Sequence, residues 1–202
     1  MFYKMILFAV CFTMLFCCGV VRAQHERVDS LNVQKEYSLW FVPKGEKLEF
    51  LQQRIGDLSR KHKGPIFIPH ITLIGNIRMT EEAVLAKSKQ LANLLRPFPV
   101  VLNGVSYGDE YYRCIFASVE KSDPLTKAHE QALEIFETTP GEFMPHLSLL
   151  YGNHEITQKE KIAAELQIKE SLSFTNLHVF ETSKHLEPGN WRLIGTIPFG
   201  NR

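Results

Sequence analysis

Hydrophobic residues recur along this chain in two patterns, one with a period of two residues and one with a period near 3.6. Over residues 45–62, apolar side chains fall three or four positions apart, which predicts an amphipathic helix that ends at Lys63-Gly64-Pro65. Residues 37–42 are rich in aromatic and β-branched side chains and predict a strand that stops at Pro43. The same reasoning predicts strands at about 100–107, 111–119, 173–180 and 191–198, and helices that start near Thr80, at Asp123 as the cap with Pro124 in its first turn, and at Thr157 with a capping box.

The order of these elements occurs twice. Strand, helix, histidine-bearing strand and helix follow one another in residues 37–108 and again in residues 109–202, with nearly equal spacing. Trp40 and Phe116 each precede the histidine of their half by 30 residues, so the repeat places them at equivalent positions. We therefore predict a single α+β domain over residues 37–202, made of two lobes at about 37–108 and 109–202.

The two histidine-bearing strands are near copies of each other. Pro69-His70-Ile71-Thr72-Leu73-Ile74-Gly75 has its counterpart in Pro145-His146-Leu147-Ser148-Leu149-Leu150-Tyr151-Gly152. Side chains two residues apart in a strand share a face, so His70 lies beside Thr72 and His146 beside Ser148. The intervening apolar residues point the other way, into a core.

This pattern suits acid and base catalysis at a phosphorus atom. Imidazole has an ordinary pKa of about 6.5, so one neutral histidine can accept a proton from water while a protonated one gives a proton to the leaving oxygen. Hydroxyls can donate hydrogen bonds to phosphate oxygens whose charge grows in the transition state. The pair of motifs therefore favours in-line hydrolysis of a phosphodiester, a scheme that needs no metal ion and no cofactor.

Two other uses of these residues compete with this interpretation. A zinc site needs at least a third protein ligand, but the neighbours of His70 and His146 at positions 72 and 148 are hydroxyl residues. A nucleophilic serine or threonine would need an orienting group and oxyanion donors, which the sequence does not identify. Acid and base catalysis by the two histidines is the favoured interpretation.

The N-terminus predicts export. Lys4, an apolar run over residues 5–21 and Val21-Arg22-Ala23 are typical of a signal peptide over residues 1–23, cleaved before Gln24. An uncleaved anchor is the alternative, but the run of 17 residues is short for a span of about 20. Residues 24–36 are polar and predict an N-terminal arm. We expect a secreted or periplasmic protein that is not held at a membrane after cleavage.

The balance of charges along the chain favours a small ligand over a nucleic acid polymer. The chain has 23 basic and 22 acidic residues, and loss of Lys4 and Arg22 with the leader leaves 21 basic against 22 acidic. Polymeric nucleic acid is not expected as a partner, because its binding depends on neutralising many phosphates. A small ligand with one or two phosphates fits better.

Three of the four cysteines lie in the leader, and the remaining one, Cys114, lies in an apolar run that predicts a packed side chain and not a catalytic thiol.

The paired His-X-Thr/Ser motifs resemble those of the two-histidine (2H) phosphoesterase superfamily. Within it, the chain is most similar to the plant and yeast type of cyclic phosphodiesterase, which opens 2′,3′-cyclic nucleotides and the cyclic phosphate of ADP-ribose. The likeness covers most of the chain after the leader. It includes Tyr37-Ser38-Leu39-Trp40, residues 64–72, Tyr112-Arg113-Cys114, Thr138-Thr139-Pro140, residues 144–151 and Trp191.

The resemblance implies roles for individual residues. His70 and His146 would be the acid and base, Thr72 and Ser148 would hold phosphate oxygens, and Trp40 and Tyr151 would line the substrate. Trp40 fits a core role equally well. The implied fold is bilobal, with mostly antiparallel sheet, outer helices and a central cleft, in a monomer that binds a small cyclic phosphate nucleotide. The alternatives are another 2H activity, on 2′-5′ linked RNA, and a secreted nucleotide-binding module without turnover.

Overall fold

The structure, a computed structural model, describes residues 35–139 and 141–200. The predicted signal peptide (1–23) and nearly all of the predicted arm (24–36) lie outside the described residues. Among the residues that are described, none of the helices is long and apolar enough to cross a bilayer. The described elements are β1 (Glu36–Phe41), α1 (Gly45–His62), β2 (Ile71–Arg78), α2 (Glu81–Leu94), β3 (Phe98–Tyr107), a 3₁₀ turn (Tyr111–Arg113), β4 (Ile115–Val119), α3 (Asp123–Phe136), β5 (His146–Leu150), α4 (Ile156–Ala164), β6 (Lys169–Phe174), β7 (Asn176–Glu181), a second 3₁₀ turn (Pro188–Asn190) and β8 (Arg192–Pro198).

Helix α1 has the bounds that its periodicity predicts. Leu51, Ile55 and Leu58 are buried along one stripe, so the helix covers the sheet with its apolar face. Lys63 ends the helix in the left-handed conformation, with φ of 57°, and its N–H donates to the Ser59 carbonyl. The chain then enters the first histidine motif.

The other helices show where local prediction succeeds and fails. Thr80 caps α2, because its hydroxyl accepts a hydrogen bond from the backbone N–H three residues on. Ser122, and not Asp123, is the last extended residue before α3, so the predicted cap is wrong by one position. Glu155 has the same role before α4, which leaves Thr157 already helical and excludes the predicted capping box.

All eight described strands form one antiparallel sheet in the order β6-β3-β4-β5-β2-β1-β7-β8. The α+β fold predicted from the sequence is confirmed. The division into lobes at residue 108 does not match the strand pairing, because β3 pairs with β4 and β6 while β7 pairs with β1. Each half of the sheet therefore takes strands from both repeats of the sequence.

The sheet is curled, so that side chains from its two halves contact each other. The predicted strand at residues 173–180 is in fact two strands, β6 and β7, which lie in opposite halves and are separated only by Thr175. Phe41 of β1 stacks on Phe174 of β6 with ring centroids 5.3 Å apart, and lies edge-on to Phe98 of β3 at 5.6 Å. Because these strands come from both halves, the largest cluster of buried apolar side chains among the described residues spans the sheet.

The two halves of the sheet meet at one residue pair, Ile71 in β2 with Leu147 in β5. Both side chains are completely buried. The junction thus has little backbone pairing and depends on burial of these two apolar side chains in the common core.

Truncation of Ile71 tests this dependence. We expect Ile71→Ala to lower the free energy of unfolding by about 2–5 kcal/mol, the usual cost of a cavity in a core. Urea unfolding followed by tryptophan fluorescence measures it. Ile66→Ala is the matched control, since Ile66 is 52% exposed and a surface change usually costs less than about 0.5 kcal/mol. Equal losses in the two variants would contradict the role given to the junction.

Candidate active site

The junction between the half-sheets brings the two histidine motifs together. With Ile71 opposite Leu147, extension of the antiparallel register by one residue on each side sets His70 opposite Ser148 and Thr72 opposite His146. Opposed residues share a face, so all four polar side chains lie on the face away from Ile71 and Leu147. The alternation predicted from the sequence is confirmed, since the intervening apolar residues are all buried (Ile71, Leu73, Leu147 and Leu149).

Both imidazole rings are held in the same way. Nδ1 of His70 lies 2.7 Å from the Ile68 carbonyl oxygen, and Nδ1 of His146 lies 2.9 Å from the Met144 carbonyl oxygen. A carbonyl only accepts hydrogen bonds, so each Nδ1 carries a hydrogen and Nε2 is the nitrogen left to exchange a proton.

The proline in each motif explains this arrangement. Ile68 and Met144 precede Pro69 and Pro145, and the residue before a proline is restricted to extended backbone. This restriction orients both carbonyls toward the ring two residues later.

Burial makes both rings reluctant to take up a proton. It lowers the pKa of His70 from 6.5 to about 4; the hydrogen bond to Ile68 opposes this shift and the nearby His146 adds to it. Burial also lowers the pKa of His146, against the effect of its bond to Met144. The charge of Arg113 lowers this pKa further, and the carboxylate of Glu110 raises it. Both histidines are therefore neutral at pH 7 when no ligand is bound.

The two hydroxyls differ in a way that the motifs alone do not predict. Ser148 is buried, and its Oγ donates a hydrogen bond of 2.8 Å to the Tyr112 carbonyl. Thr72 is half-buried, and its hydroxyl makes no hydrogen bond to another described residue. In the absence of a ligand, only the Thr72 hydroxyl is available to donate without giving up a protein partner.

Trp40 lies behind His70 and not on the open surface of the cleft. Its side chain is only 2% exposed and stacks on the His70 ring, with centroids 3.6 Å apart and planes 11° from parallel. Phe116, its predicted counterpart, lies edge-on to His146 at 5.3 Å and 65°. The equivalence of the two aromatics is confirmed by the strand register, in which Trp40 pairs with Thr72 and Phe116 with Ser148.

Tyr151 is also buried. It stacks on Phe67 at 3.7 Å, and burial raises the pKa of its hydroxyl well above the ordinary value. The aromatic surface open to solvent comes instead from Tyr112, which is 52% exposed, and from the partly exposed Trp191, with ring centroids 6.0 Å apart. The sequence patterns assign neither residue to the site, although both belong to the resemblance. Trp191 also contacts the ring of Trp40 edge-on at 5.4 Å.

Two remaining questions from the sequence concern Cys114 and metal ligands. Cys114 is fully buried as a free thiol, and burial raises its pKa, so the packed role is favoured. Within residues 35–139 and 141–200, no group of three or more His, Cys, Asp or Glu side chains surrounds a possible metal position.

Comparison with known proteins gives a consistent family. The family model described as "Cyclic phosphodiesterase-like protein" matches residues 36–197. The curated "Cyclic phosphodiesterase" of Arabidopsis thaliana is 29% identical over 132 residues, which cover 64% of this chain and 71% of that protein.

Solved structures share the fold at lower identity. Apo LigT of E. coli superposes with a TM-score of 0.58 at 15% identity, covering 83% of this chain and 99% of LigT. LigT complexed with 3′-AMP gives 0.57 at 14% identity with the same coverage. The protein TT0787 of Thermus thermophilus gives 0.59 at 17% identity, covering 83% of this chain and 100% of TT0787.

These structural likenesses establish the LigT-like fold, and the family match extends over most of the chain, including both histidine motifs. The chain therefore belongs to the cyclic phosphodiesterase-like family of two-histidine phosphoesterases and is a phosphodiesterase.

Proposed function

We propose that this enzyme opens the cyclic phosphate of nucleoside 2′,3′-cyclic phosphates, of ADP-ribose 1″,2″-cyclic phosphate, or of both, to a phosphomonoester. The observation that carries the proposal is the register at Ile71 and Leu147, which puts two imidazoles and two hydroxyls on one face. The cyclic phosphodiesterase relative and the LigT complex with 3′-AMP support a small nucleotide as the ligand.

The reaction is an in-line displacement at phosphorus. Nε2 of one histidine takes a proton from water as the water oxygen attacks, and a new P–O bond forms. The opposite P–O bond of the ring breaks, and the leaving sugar oxygen takes a proton from Nε2 of the other histidine. The proton count balances, because the first ring ends protonated and the second ends neutral.

Substrate binding itself favours protonation of the histidine that acts as the acid. Both rings are neutral in the free site, but an anionic phosphate between them favours imidazolium through its negative charge. The acid histidine is therefore protonated together with substrate binding. A buried site strengthens this attraction, because fewer water molecules screen it.

Thr72 and Ser148 hold the non-bridging oxygens of the phosphate. As charge develops on these oxygens, hydrogen bonds from the hydroxyls become stronger, which accelerates turnover more than it improves binding. Thr72 donates directly. Ser148 turns its hydroxyl from the Tyr112 carbonyl to the phosphate, so its contribution is offset by the bond it gives up.

The buried and exposed aromatics have separate roles in this proposal. Trp40 fixes the ring of His70 by stacking, and Phe67 fixes the ring of Tyr151 in the same way. The nucleobase contacts the accessible faces of Tyr112 and Trp191, since aromatic side chains stack on bases of any sequence.

Residues 1–23 direct export and are removed, and the mature enzyme acts as a monomer without membrane attachment.

Removal of either imidazole tests the mechanism. We expect His70→Ala and His146→Ala each to lower turnover of 2′,3′-cyclic AMP by a factor of about 10² to 10⁴, and the double variant to be little worse than the poorer single variant. His185→Ala, at an exposed position, is the control and should keep full activity. Near-normal turnover in either of the first two variants would overturn the mechanism.

The hydroxyls should separate by their effect on stability. Thr72→Val keeps the side-chain shape and should lower kcat with little change in unfolding free energy. Ser148→Ala should lower kcat and also destabilise the fold by about 1–3 kcal/mol, because the Tyr112 carbonyl loses its donor. Ser173→Ala, on an exposed serine, is the control. If both variants are destabilised but keep the kcat of the wild type, the hydroxyls have no part in turnover.

The pH profile follows from the lowered pKa values. In the free enzyme both pKa values lie below 6.5 and that of His70 is about 4, so kcat/KM should be bell-shaped with its maximum below pH 6.5. The profile of kcat, which reports the substrate complex, should be displaced to higher pH by the phosphate charge. Excess chelator should leave both curves unchanged. Activity lost to chelator and restored by zinc or manganese would contradict the scheme.

A further inference from the structure

The segment from Gly108 to Arg113 lies beside the second histidine motif and is firmly anchored. Lys159 of α4, whose side chain is 8% exposed, donates hydrogen bonds of 2.9 Å to the Gly108 carbonyl and to the Asp109 carboxylate. The Tyr111 carbonyl accepts from the N–H of Gly152 at 3.0 Å. The segment is therefore held at two points, by α4 and by the chain that follows β5.

Arg113 is the cation of this segment. Its guanidinium Nη1 lies 3.6 Å from the sulfur of Met144, and the backbone carbonyl of the same methionine holds Nδ1 of His146. One residue thus positions both the guanidinium and the imidazole. The Arg113 side chain is 28% exposed, so it is fixed near the ring yet reachable from solvent.

The partners of this guanidinium are weak or replaceable. A thioether sulfur is a poor acceptor. The other partner, Glu110, lies three residues away with its carboxylate 2.6 Å from Nη2, and its side chain is 69% exposed. Exposed ion pairs contribute little to stability, whereas a phosphate group accepts two parallel hydrogen bonds from a guanidinium. A phosphate can therefore replace Glu110 with a gain in binding.

Within the described part of the chain, positive charge lies near only one of the two histidines. His70 is influenced by burial, by the Ile68 carbonyl and by His146, and no lysine or arginine among the described residues shifts it. Arg113 makes protonation of His146 harder in the free enzyme, and the carboxylate of Glu110 opposes this effect. The effect of Arg113 is a cost for a pair that must hold one proton. A phosphate monoester that replaces Glu110 in the substrate complex brings nearly two negative charges in place of one, and so offsets that cost more fully.

We propose that Arg113 forms an anion-binding subsite for a second phosphate group of the substrate, separate from the cyclic phosphate that reacts. This inference rests on the proposed function. The substrate class that it favours is a nucleoside 2′,3′-cyclic phosphate that also carries a 5′-phosphate. The subsite determines specificity, and the bonds that break and form at the cyclic phosphate are unchanged.

Steady-state kinetics on two substrates tests the subsite. We compare 2′,3′-cyclic AMP with its 5′-phosphorylated form, using the wild type, Arg113→Gln and Arg113→Lys. Arg113→Gln should lower kcat/KM for the 5′-phosphorylated substrate by about 10- to 100-fold, the range for a lost charge-assisted hydrogen bond, and by less than about threefold for 2′,3′-cyclic AMP. Arg113→Lys should retain part of the preference, because it keeps the charge and loses the two-pronged geometry.

Arg60→Gln is the matched control. Arg60 also pairs with a carboxylate three residues away and is exposed, but it lies on α1. It should leave the substrate preference of the wild type unchanged. Equal losses on the two substrates in Arg113→Gln would overturn the subsite, as would the absence of any wild-type preference for the 5′-phosphate.

A binding measurement separates failure of the subsite from failure of the proposed function. Adenosine 3′,5′-bisphosphate should bind the wild type about tenfold or more tightly than 3′-AMP by calorimetry, and this ratio should fall to near one in Arg113→Gln. If the wild type turns over neither cyclic substrate, the proposed function is wrong, while the binding ratio still decides the subsite. A ratio that is the same in both proteins would contradict the role of Arg113.

Discussion

The antiparallel pair formed by Ile71 and Leu147 is the constraint on which the site depends. In a strand, a shift by one residue exchanges the two faces. A slip at this junction would turn His146 and Ser148 into the core while His70 and Thr72 stayed in the cleft. Complete burial of Ile71 and Leu147 prevents the slip, because the alternative register would bury an imidazole and expose leucine. Apolar packing therefore decides where the polar groups meet.

The two motifs are equivalent in backbone and different in surroundings. Each ring donates from Nδ1 to the carbonyl before its proline, and each hydroxyl residue pairs with an aromatic on the neighbouring strand. Trp40 stacks flat on His70, however, whereas Phe116 only meets His146 with its edge. An acid and a base need different proton affinities. The repeat provides matching positions, and divergence around them gives the two rings different surroundings.

Local sequence patterns predict much of this structure because they report on local interactions. The bounds of α1 follow from an uninterrupted apolar stripe and a clear stop, and the faces of β2 and β5 follow from alternation. The split at Thr175 had a signal too, since the buried positions before and after it are out of phase. Leu172 and Phe174 alternate correctly, and the next buried residue, Leu177, follows after three positions instead of two.

What could not be predicted depends on contacts between residues distant in sequence. The exchange of β3 and β7 between the two half-sheets is such a case, because nothing local to either strand specifies its partner. The hydrogen bond from Ser148 to Tyr112 is another, since its acceptor lies in a 3₁₀ turn where the pattern favours the start of a strand at residues 111–119. Trp40 likewise shows the same sequence signal whether it faces substrate or supports a histidine.

The two histidines and two hydroxyls suit the proposed reaction without a lysine or arginine beside the reacting phosphate. A lysine or arginine beside the phosphate would bind it strongly but would also lower the pKa of both imidazoles, which burial has already lowered. Hydroxyls at positions 72 and 148 donate hydrogen bonds to phosphate oxygens without adding positive charge, so they leave the anion to raise the proton affinity of the rings. The acid is then charged only when a phosphate is present. A cation is compatible with this arrangement at the edge of the cleft, where Arg113 is partly exposed and water weakens its effect on His146.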